Sequence, residues 1–205
     1  MTHGRLDVAS TVLLALATVA TAWSAYQARE WTGQQALATS RATAARITEN
    51  REAALANRQV QIDVATFTQW LNARAQRHPA LARFYEQRFR DEFKPAFAAW
   101  LATQPLTNRA APETPFVMPQ YRLAAQTAAQ QQEATAAARS NDSKDANERA
   151  NDYMLATVLF ACALFFAGIS SKLQTEGART WVLGLGCVLF VGTVIYLVTL
   201  PAQVG

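Results

Sequence analysis

The chain has 205 residues, of which 51% are hydrophobic and 17% are charged, and its formal net charge is +4. These averages combine two unlike parts, because 16 of the 19 basic and 13 of the 15 acidic residues lie between residues 28 and 152. The charges of that segment are interspersed and sum to only +3, which argues against a nucleic-acid interface. The segment also has no cysteine, which excludes a disulfide framework and a thiolate metal site.

Three charge-free stretches, residues 8–28, 153–171 and 180–205, flank this polar segment. Each has about 19 or more residues, enough for a helix to cross a hydrocarbon core of roughly 30 Å. We therefore predict transmembrane helices at 8–28, 153–171 and 180–200, with tails at 1–7 and 201–205 and a short loop at 172–179. The predicted fold is all-α: three transmembrane helices with a long helical-hairpin stalk inserted between the first and second spans.

Aromatic residues mark the ends of the predicted spans, where amphipathic rings favour the headgroup level of a bilayer. The predicted interface anchors are Trp23, Tyr26, Trp31, Tyr153 and Trp181. The first span has an alternative interpretation as a cleaved signal peptide, because Arg5 precedes an apolar run that ends in Ala20-Thr21-Ala22. Apolar residues continue beyond that point without a helix breaker, which favours a retained span.

The polar insert is predicted to leave and re-enter the membrane as two long helices. Residues 29–78 contain one glycine and no proline, and their Ala, Gln, Arg and Glu residues favour helix, so this segment continues span 1. Residues 119–152 have no glycine and no proline after Pro119, and they form the returning helix. His78, just before Pro79, is interpreted as a helix-end residue.

Residues 79–118 are predicted to be an aromatic-rich helix followed by a proline-rich loop. The aromatic residues recur at intervals of three and four, the helical period, and Pro95 is expected to kink or split the helix. The predicted distal aromatic core comprises Phe67, Trp70, Phe84, Phe89, Phe97 and Trp100.

Alanine dominates the facing surfaces of the two long helices. Such faces bury little apolar area, so we expect a homo-oligomer in which further helices contribute. Small residues in the spans, such as Ala163, Ala167 and Gly186, allow close helix packing either within one protomer or between protomers. The predicted oligomer or pore face comprises Thr11, Thr18, Thr21, Ser24, Ala44 and Ala128.

The sequence offers little support for enzymatic chemistry. It has no zinc-protease, nucleophile-elbow, phosphate-loop or dinucleotide-binding motif, and no catalytic, cofactor or metal residue is predicted. Glu86, Asp91 and Glu92 could pair as acids, but they alternate with arginine and lysine, which is typical of a solvated face. The predicted spans contain no ionisable side chain except cysteine and tyrosine, which argues against a proton relay.

The run Ala22-Trp23-Ser24-Ala25-Tyr26-Gln27-Ala28, followed by Trp31, resembles a signature of uncharacterised bacterial three-span membrane proteins. The resemblance implies the bacterial inner membrane and carries no activity. Counting basic residues near the short segments places the insert in the periplasm, and counting those on the insert side reverses the orientation.

The function predicted from the sequence is a non-enzymatic, oligomeric membrane scaffold or interaction module. Its partners would be the lipid bilayer, other copies of the chain and a protein bound at the stalk. The alternative is a small oligomeric channel or transport subunit with a pore lined by the hydroxyl residues of span 1.

Overall fold

The computed structural model describes residues 2–202, with side chains described from Leu6 onward. Its helices are α1 (Thr2–Ala75), α2 (Pro79–Gln87), α3 (Lys94–Ala102), α4 (Ala124–Ser170) and α5 (Glu176–Thr199), with a short 3-10 helix at Pro115–Val117. No strand occurs within residues 2–202, so the described chain is all-α, as predicted. Met1 and residues 203–205, which belong to the predicted tails, lie outside the described residues.

Three helices contain a stretch long and apolar enough to cross a membrane: α1, α4 and α5. Large apolar side chains on these stretches point outward, including Val8, Val19, Val158, Phe165, Val188 and Val198. The inward positions are mostly small, including Ser10, Ala17, Ser24, Ala156, Ala163 and Ala167. This distribution is the reverse of a water-soluble core and suits helices surrounded by lipid, because packing in membranes relies on small interfacial residues.

The long helices α1 and α4 each combine an apolar and a polar stretch without interruption. Gly33 does not break α1, and an added Cβ there would meet no atom within 4 Å. The helix ends at Ala75, because Arg77 takes a left-handed conformation (φ 59°) that cannot continue a right-handed helix. The His78 amide donates to the Ala73 carbonyl at 2.9 Å, which closes the last turn.

The described chain divides into two compact units. The first unit comprises the chain up to Arg41 together with the chain from Ala138 onward, and the second unit is Ala42–Ala137. Each unit therefore contains part of α1 and part of α4.

Close helix packing characterises the first unit. Ala163 and Ala167 are fully buried, which shows that this small-residue pair packs within one protomer. At Gly186 of α5, an added Cβ would lie 3.3 Å from Phe166 Cβ and 3.4 Å from the Ala163 carbonyl oxygen. Polar contacts also join α5 to the long helices. The Arg179 guanidinium pairs with the Asp7 carboxylate, and the Tyr196 hydroxyl donates to Asp152 Oδ1 at 2.9 Å.

Candidate functional site

An aromatic cluster forms the core of the second unit. Its buried aromatic members are Phe67, Trp70, Phe89, Phe93, Phe97 and Trp100, and Tyr85, Phe116 and Tyr121 pack against them. Trp70 meets Phe97 edge-on with ring centroids 4.9 Å apart, and Phe93 stacks on Phe116 at 5.2 Å. Such geometry is favourable for aromatic pairs beyond simple burial. Five of the six residues predicted for the aromatic core lie in this cluster.

The segment between α2 and α3 brings the cluster together. The predicted continuous helix is split, and residues 88–93 form turns between Gln87 and Lys94. Pro95 lies in the first turn of α3, where its missing N–H costs nothing. The Trp100 indole Nε1 donates to the Pro112 carbonyl at 2.8 Å, which ties the proline-rich loop to α3.

The structure corrects the prediction that Phe84 belongs to the aromatic core. Its side chain is 45% exposed, and the Arg88 guanidinium lies 3.6 Å from its ring centroid. The neighbouring Tyr85 packs against the cluster instead. Adjacent residues on a helix point about 100° apart, so with Tyr85 directed at the cluster, Phe84 lies to one side of it.

A buried ionic network lies beside the aromatic cluster. The Asp63 side chain on α1 has no exposed surface, and its Oδ2 accepts hydrogen bonds from Arg90 Nη1 at 2.8 Å and from the Tyr121 hydroxyl at 3.0 Å. Arg90 also pairs with Glu92, and Glu92 Oε1 accepts from the Ala124 amide at 3.0 Å. The network thus joins α1, the α2–α3 turn, the loop at Tyr121 and the first residue of α4.

The electrostatics of this network follow from burial. Burial raises the pKa of Asp63 above its usual range, although hydrogen bonds from Tyr121 and Arg90 oppose the rise. Burial and the nearby Asp63 carboxylate raise the pKa of the Tyr121 hydroxyl, which remains a neutral donor. Asp63 Oδ1 has no hydrogen-bond partner among the described residues. The Asp63 side chain is inaccessible to solvent, so its carboxylate contacts only other residues of the protein in this structure.

The sequence prediction missed this network, although α1 contains a signal for it. Asp63 precedes Phe67 by four residues and Trp70 by seven, so all three share one helix face. A lone acid on an aromatic face requires a cationic or hydroxyl partner. The sequence does not indicate which arginine provides the charge.

The three acids considered for catalysis lie in three different environments. Asp91 is exposed and pairs with Lys94 Nζ at 2.7 Å, and this contact lowers the pKa of Asp91. Glu92 belongs to the ionic network, and Glu86 lines a groove of about 430 Å³ beside Phe89 and Phe97. His78 precedes the first residue of α2, and its side chain makes no capping hydrogen bond. Within the described residues, no three His, Cys, Asp or Glu side chains could together hold a metal ion.

Polar residues of the first predicted span do not share one environment. Thr11 and Thr18 are exposed and donate to their own helix carbonyls at Asp7 and Leu14. Thr21 is half-buried and donates to the Ala17 carbonyl. Ser24 is completely buried, with no hydrogen-bond partner for its Oγ among the described residues. The structure therefore separates the buried Ser24 from the exposed Thr11 and Thr18, and these residues do not line one surface.

The predicted interface anchors also divide into two groups. Trp23, Tyr26 and Trp181 are exposed on their helices, and their place at a membrane surface stays a prediction. Trp31 and Tyr153 are buried and pack together with Ala146 and Ala150 of α4. These two rings therefore contribute to packing between α1 and α4.

Several apolar residues of α1 are exposed on the surface of the second unit. Ile47, Leu55 and Ile62 are 48%, 39% and 51% exposed, respectively. Ala44, three residues before Ile47, is also exposed. At 100° per residue, Ala44, Leu55 and Ile62 lie within about 20° of one another around the helix. The inner face of the same helix carries smaller residues, namely Ala42, Ala45 and Ala56. Ala128, on α4, is half-buried.

Comparison with known protein families, with curated proteins and with solved structures finds no significant match for this chain.

Proposed function

We propose that this chain is a non-enzymatic, oligomeric integral membrane protein that acts as a scaffold or interaction module. Residues 8–28, 153–171 and 180–200 would be its spans, and the polar segment between the first two would extend from the membrane as a helical stalk. The proposed location is a bacterial inner membrane, with the stalk in the periplasm. A protein partner would bind at the stalk.

The exposed stripe on α1 is the observation that carries this proposal. Three branched or long aliphatic side chains, Ile47, Leu55 and Ile62, face outward on a helix whose buried residues between 42 and 56 are alanine. Burying the exposed half of each such side chain against a second copy contributes roughly 0.7–1.5 kcal/mol, about half of the value for complete burial. Assembly would therefore stabilise a stalk that packs weakly on its own.

A groove in the second unit supports the same conclusion. It has a volume of about 330 Å³ and lies between α1 and α4, where Ala53, Ala56 and Ala129 leave space that larger residues would fill. Its rim is polar, with Glu49 and Glu133 among the lining residues. Two alanine-lined helices leave this space open, and a further helix could occupy it.

The buried ionic network supports a structural role. Asp63, the described carboxyl whose pKa is raised by burial, has no exposed side-chain surface and cannot reach a substrate. Asp91 is exposed, and its pKa is lowered by Lys94, which is the reverse of what a general acid requires near neutral pH. The described carboxylates thus serve packing and solvation better than catalysis.

The oligomeric state of the purified full-length protein tests the proposal. We expect a defined oligomer in nanodiscs at micromolar concentration by mass photometry and light scattering. Ile62→Glu should place a charge in the contact between copies. We expect it to raise the apparent dissociation constant of the oligomer at least tenfold and so to increase the monomer population. Ala44→Leu should perturb the same face through steric mismatch.

Two variants serve as matched controls. Ala137→Leu repeats the alanine-to-leucine exchange of Ala44→Leu at an exposed residue of α4. Ala137 lies about 180° around that helix from Ala128, a residue of the predicted oligomer face. Val117→Glu adds the same charge at an exposed position outside α1. Both should retain the wild-type oligomer. A monomeric wild-type protein would contradict the proposal, as would equal dissociation by the control variants.

A second candidate function is a small channel or transport subunit. Thr11 and Thr18 favour it, because their hydroxyls are exposed on one side of the first predicted span and could contact water in a pore between protomers. Burial of Ser24 limits such a lining to the exposed threonines. Ion conductance in reconstituted bilayers, abolished by Thr18→Leu, would support this function over a purely structural one.

A further inference from the structure

Two surfaces of the second unit lie on different sides of α1. The first is the groove of about 330 Å³, which Ala53 and Asn57 line from α1 and Gln130 lines from α4. The second contains the exposed side chains of Leu55 and Ile62. At 100° per residue, Ala53 and Asn57 lie about 160° around the helix from Leu55, whereas Ile62 lies about 20° from it. One helix therefore presents apolar side chains on one side and a groove on the other.

Positive charge flanks the exposed apolar side chains. Arg51 and Arg58 are exposed, and they lie about 40° and 60° from Leu55 in the same direction around α1. Neither arginine makes an ion pair within the described residues. Glu52, about 60° from Leu55 in the other direction, is half-buried. The surface formed by Arg51, Leu55, Arg58 and Ile62, which we call the α1 ridge, is therefore apolar and basic.

The groove has the opposite charge. Glu49 and Glu133 line it, and the described residues that line it include no arginine or lysine. Neither glutamate makes an ion pair within residues 6–202, and neither does Arg46, which lies one turn before Glu49 on α1. An acidic groove attracts a basic ridge, and this complementarity also disfavours contacts between surfaces of like charge.

Charge repulsion opposes a symmetric contact between two ridges. A twofold axis along the stalk would place Arg51 and Arg58 of both copies in one contact, where like charges repel. Two grooves in contact would likewise bring together the glutamates of both copies. A ridge against a groove instead joins opposite charges and places Leu55 and Ile62 over alanine.

The ridge and the groove also lie at the same level along α1. The groove-lining residues of this helix extend from Glu49 to Val60, and the ridge extends from Arg51 to Ile62. Each stretch is about 17 Å long at a rise of 1.5 Å per residue. A rotation axis perpendicular to the membrane leaves the height of every atom unchanged. Copies inserted in the same orientation can therefore join only surfaces at matching heights, and these two surfaces match.

We propose that the α1 ridge of one copy occupies the groove between α1 and α4 of the next copy. Leu55 packs against Ala53 and Ala56 of that copy, and Arg51 pairs with its acidic groove residues. Because the two surfaces differ, the contact is heterologous, and rotational symmetry closes it into a ring of three or more copies. This inference rests on the proposed oligomeric function and adds which surfaces meet.

Charge reversal in the full-length protein tests the arrangement. Arg51→Glu with Arg58→Glu gives an acidic ridge facing an acidic groove, and Glu49→Arg with Glu133→Arg gives a basic groove facing a basic ridge. We expect each double variant to raise the apparent dissociation constant of the oligomer roughly tenfold or more, measured by light scattering over a dilution series in detergent. Circular dichroism establishes that each variant is folded.

The variant with all four substitutions restores opposite charges with their positions exchanged. Its dissociation constant should return to within about threefold of the wild-type value, since the substitutions on the two surfaces are coupled rather than additive. Such a recovery excludes damage to the fold as the cause of dissociation in the double variants. Continued dissociation of the combined variant would overturn the proposal.

Co-expression of the two double variants with different affinity tags provides a second readout. Each double variant repels its own kind, but its ridge and groove attract the groove and ridge of the other. Tandem purification should therefore recover both variants in one oligomer, although each is dissociated when expressed alone. If ridge met ridge instead, the groove variant would assemble by itself as the wild type does, and the proposal would be wrong.

Arg109→Glu and Glu113→Arg, made separately, are the matched controls. They repeat the same exchanges at exposed residues of the proline-rich loop that line neither surface, and both should retain the wild-type oligomer. Equal dissociation by these controls, normal assembly of both double variants, or a wild-type dimer would overturn the ridge-in-groove contact. In the last two cases the proposed oligomeric function would stand. A monomeric wild-type protein would overturn that function together with this contact.

Discussion

Phe93→Ala is expected to lower the free energy of unfolding of the second unit by about 3–5 kcal/mol. Phe93 has no exposed surface, and its ring packs against Phe89, Phe97, Phe116 and Tyr121. Truncation would remove contacts among α3, the α2–α3 turn and the proline-rich loop together. Urea titration of the full-length protein in detergent, followed by near-ultraviolet circular dichroism, measures the loss.

Phe84→Ala makes the same chemical change at an exposed phenylalanine in the same unit. Its ring contacts Arg88 and Tyr85 and is 45% exposed, so we expect a loss below about 1 kcal/mol. The contrast between the two variants isolates the effect of the aromatic cluster. Similar losses in both would mean that the cluster is not the stabilising core of the second unit.

Asp63→Ala is expected to destabilise the second unit by about 3 kcal/mol, the effect of breaking a buried ion pair from one side. The substitution would leave Arg90 without its buried partner and the Tyr121 hydroxyl without its acceptor. Arg90 retains Glu92, so the damage should centre on the contact between α1 and the α2–α3 turn. The same urea titration provides the measurement.

Asp91→Ala is the control for this experiment. It removes an aspartate from an ion pair with Lys94 that lies 28 residues along the chain from Asp63 and is exposed to solvent. Exposed pairs contribute little, since water already solvates both charges, so stability should barely change. If Asp63→Ala were as mild as Asp91→Ala, the buried network would have no stabilising role.

Asp63 should also impose a pH dependence on stability. Burial raises its pKa in the folded state above the usual 3.8, so the folded chain holds the proton more tightly than the unfolded chain. Protonated Asp63 therefore contributes to the free energy of unfolding. This contribution is fully present below the ordinary pKa of aspartate and is lost as the pH rises through the raised pKa of the folded state. Asp63→Asn cannot release a proton, and its amide oxygen still accepts hydrogen bonds.

Comparison of the two proteins between about pH 4 and pH 7 measures this effect. Wild-type stability should fall with rising pH relative to Asp63→Asn over the interval just above the ordinary aspartate pKa. A wild-type stability that instead rises relative to the variant would mean that Arg90 and Tyr121 outweigh the desolvation of Asp63.

The sequence predicted those elements of the fold that depend on local composition and periodicity. Three charge-free stretches predict three membrane-length apolar helical segments, and the structure contains them. The absence of proline between residues 29 and 75 allows α1 to continue, and Pro95 correctly indicated that the aromatic-rich helix is divided. The three- and four-residue spacing identified Phe89, Phe97 and Trp100 as core residues.

The remaining features depend on contacts between residues distant in the chain. Periodicity alone could not distinguish Phe84 from Tyr85, because α2 ends at Gln87 and the chain then turns before α3. It also could not pair Asp63 with Arg90 and Tyr121, which requires the three-dimensional arrangement of the α2–α3 turn and the loop before α4. Trp31 was predicted at the membrane surface from its proximity to span 1, whereas its burial depends on α4.

The division of the chain into units has a consequence for biogenesis. The second unit is one continuous stretch, Ala42–Ala137, so all of its contacts become available before α5 has been synthesised. The first unit is discontinuous, and its Asp7–Arg179 ion pair joins residues near opposite ends of the chain. The N-terminal part of α1 therefore lacks its α5 contacts until the end of the chain has been synthesised. The first unit consequently completes its packing late, and the second unit can fold while the rest of the chain is still being translated.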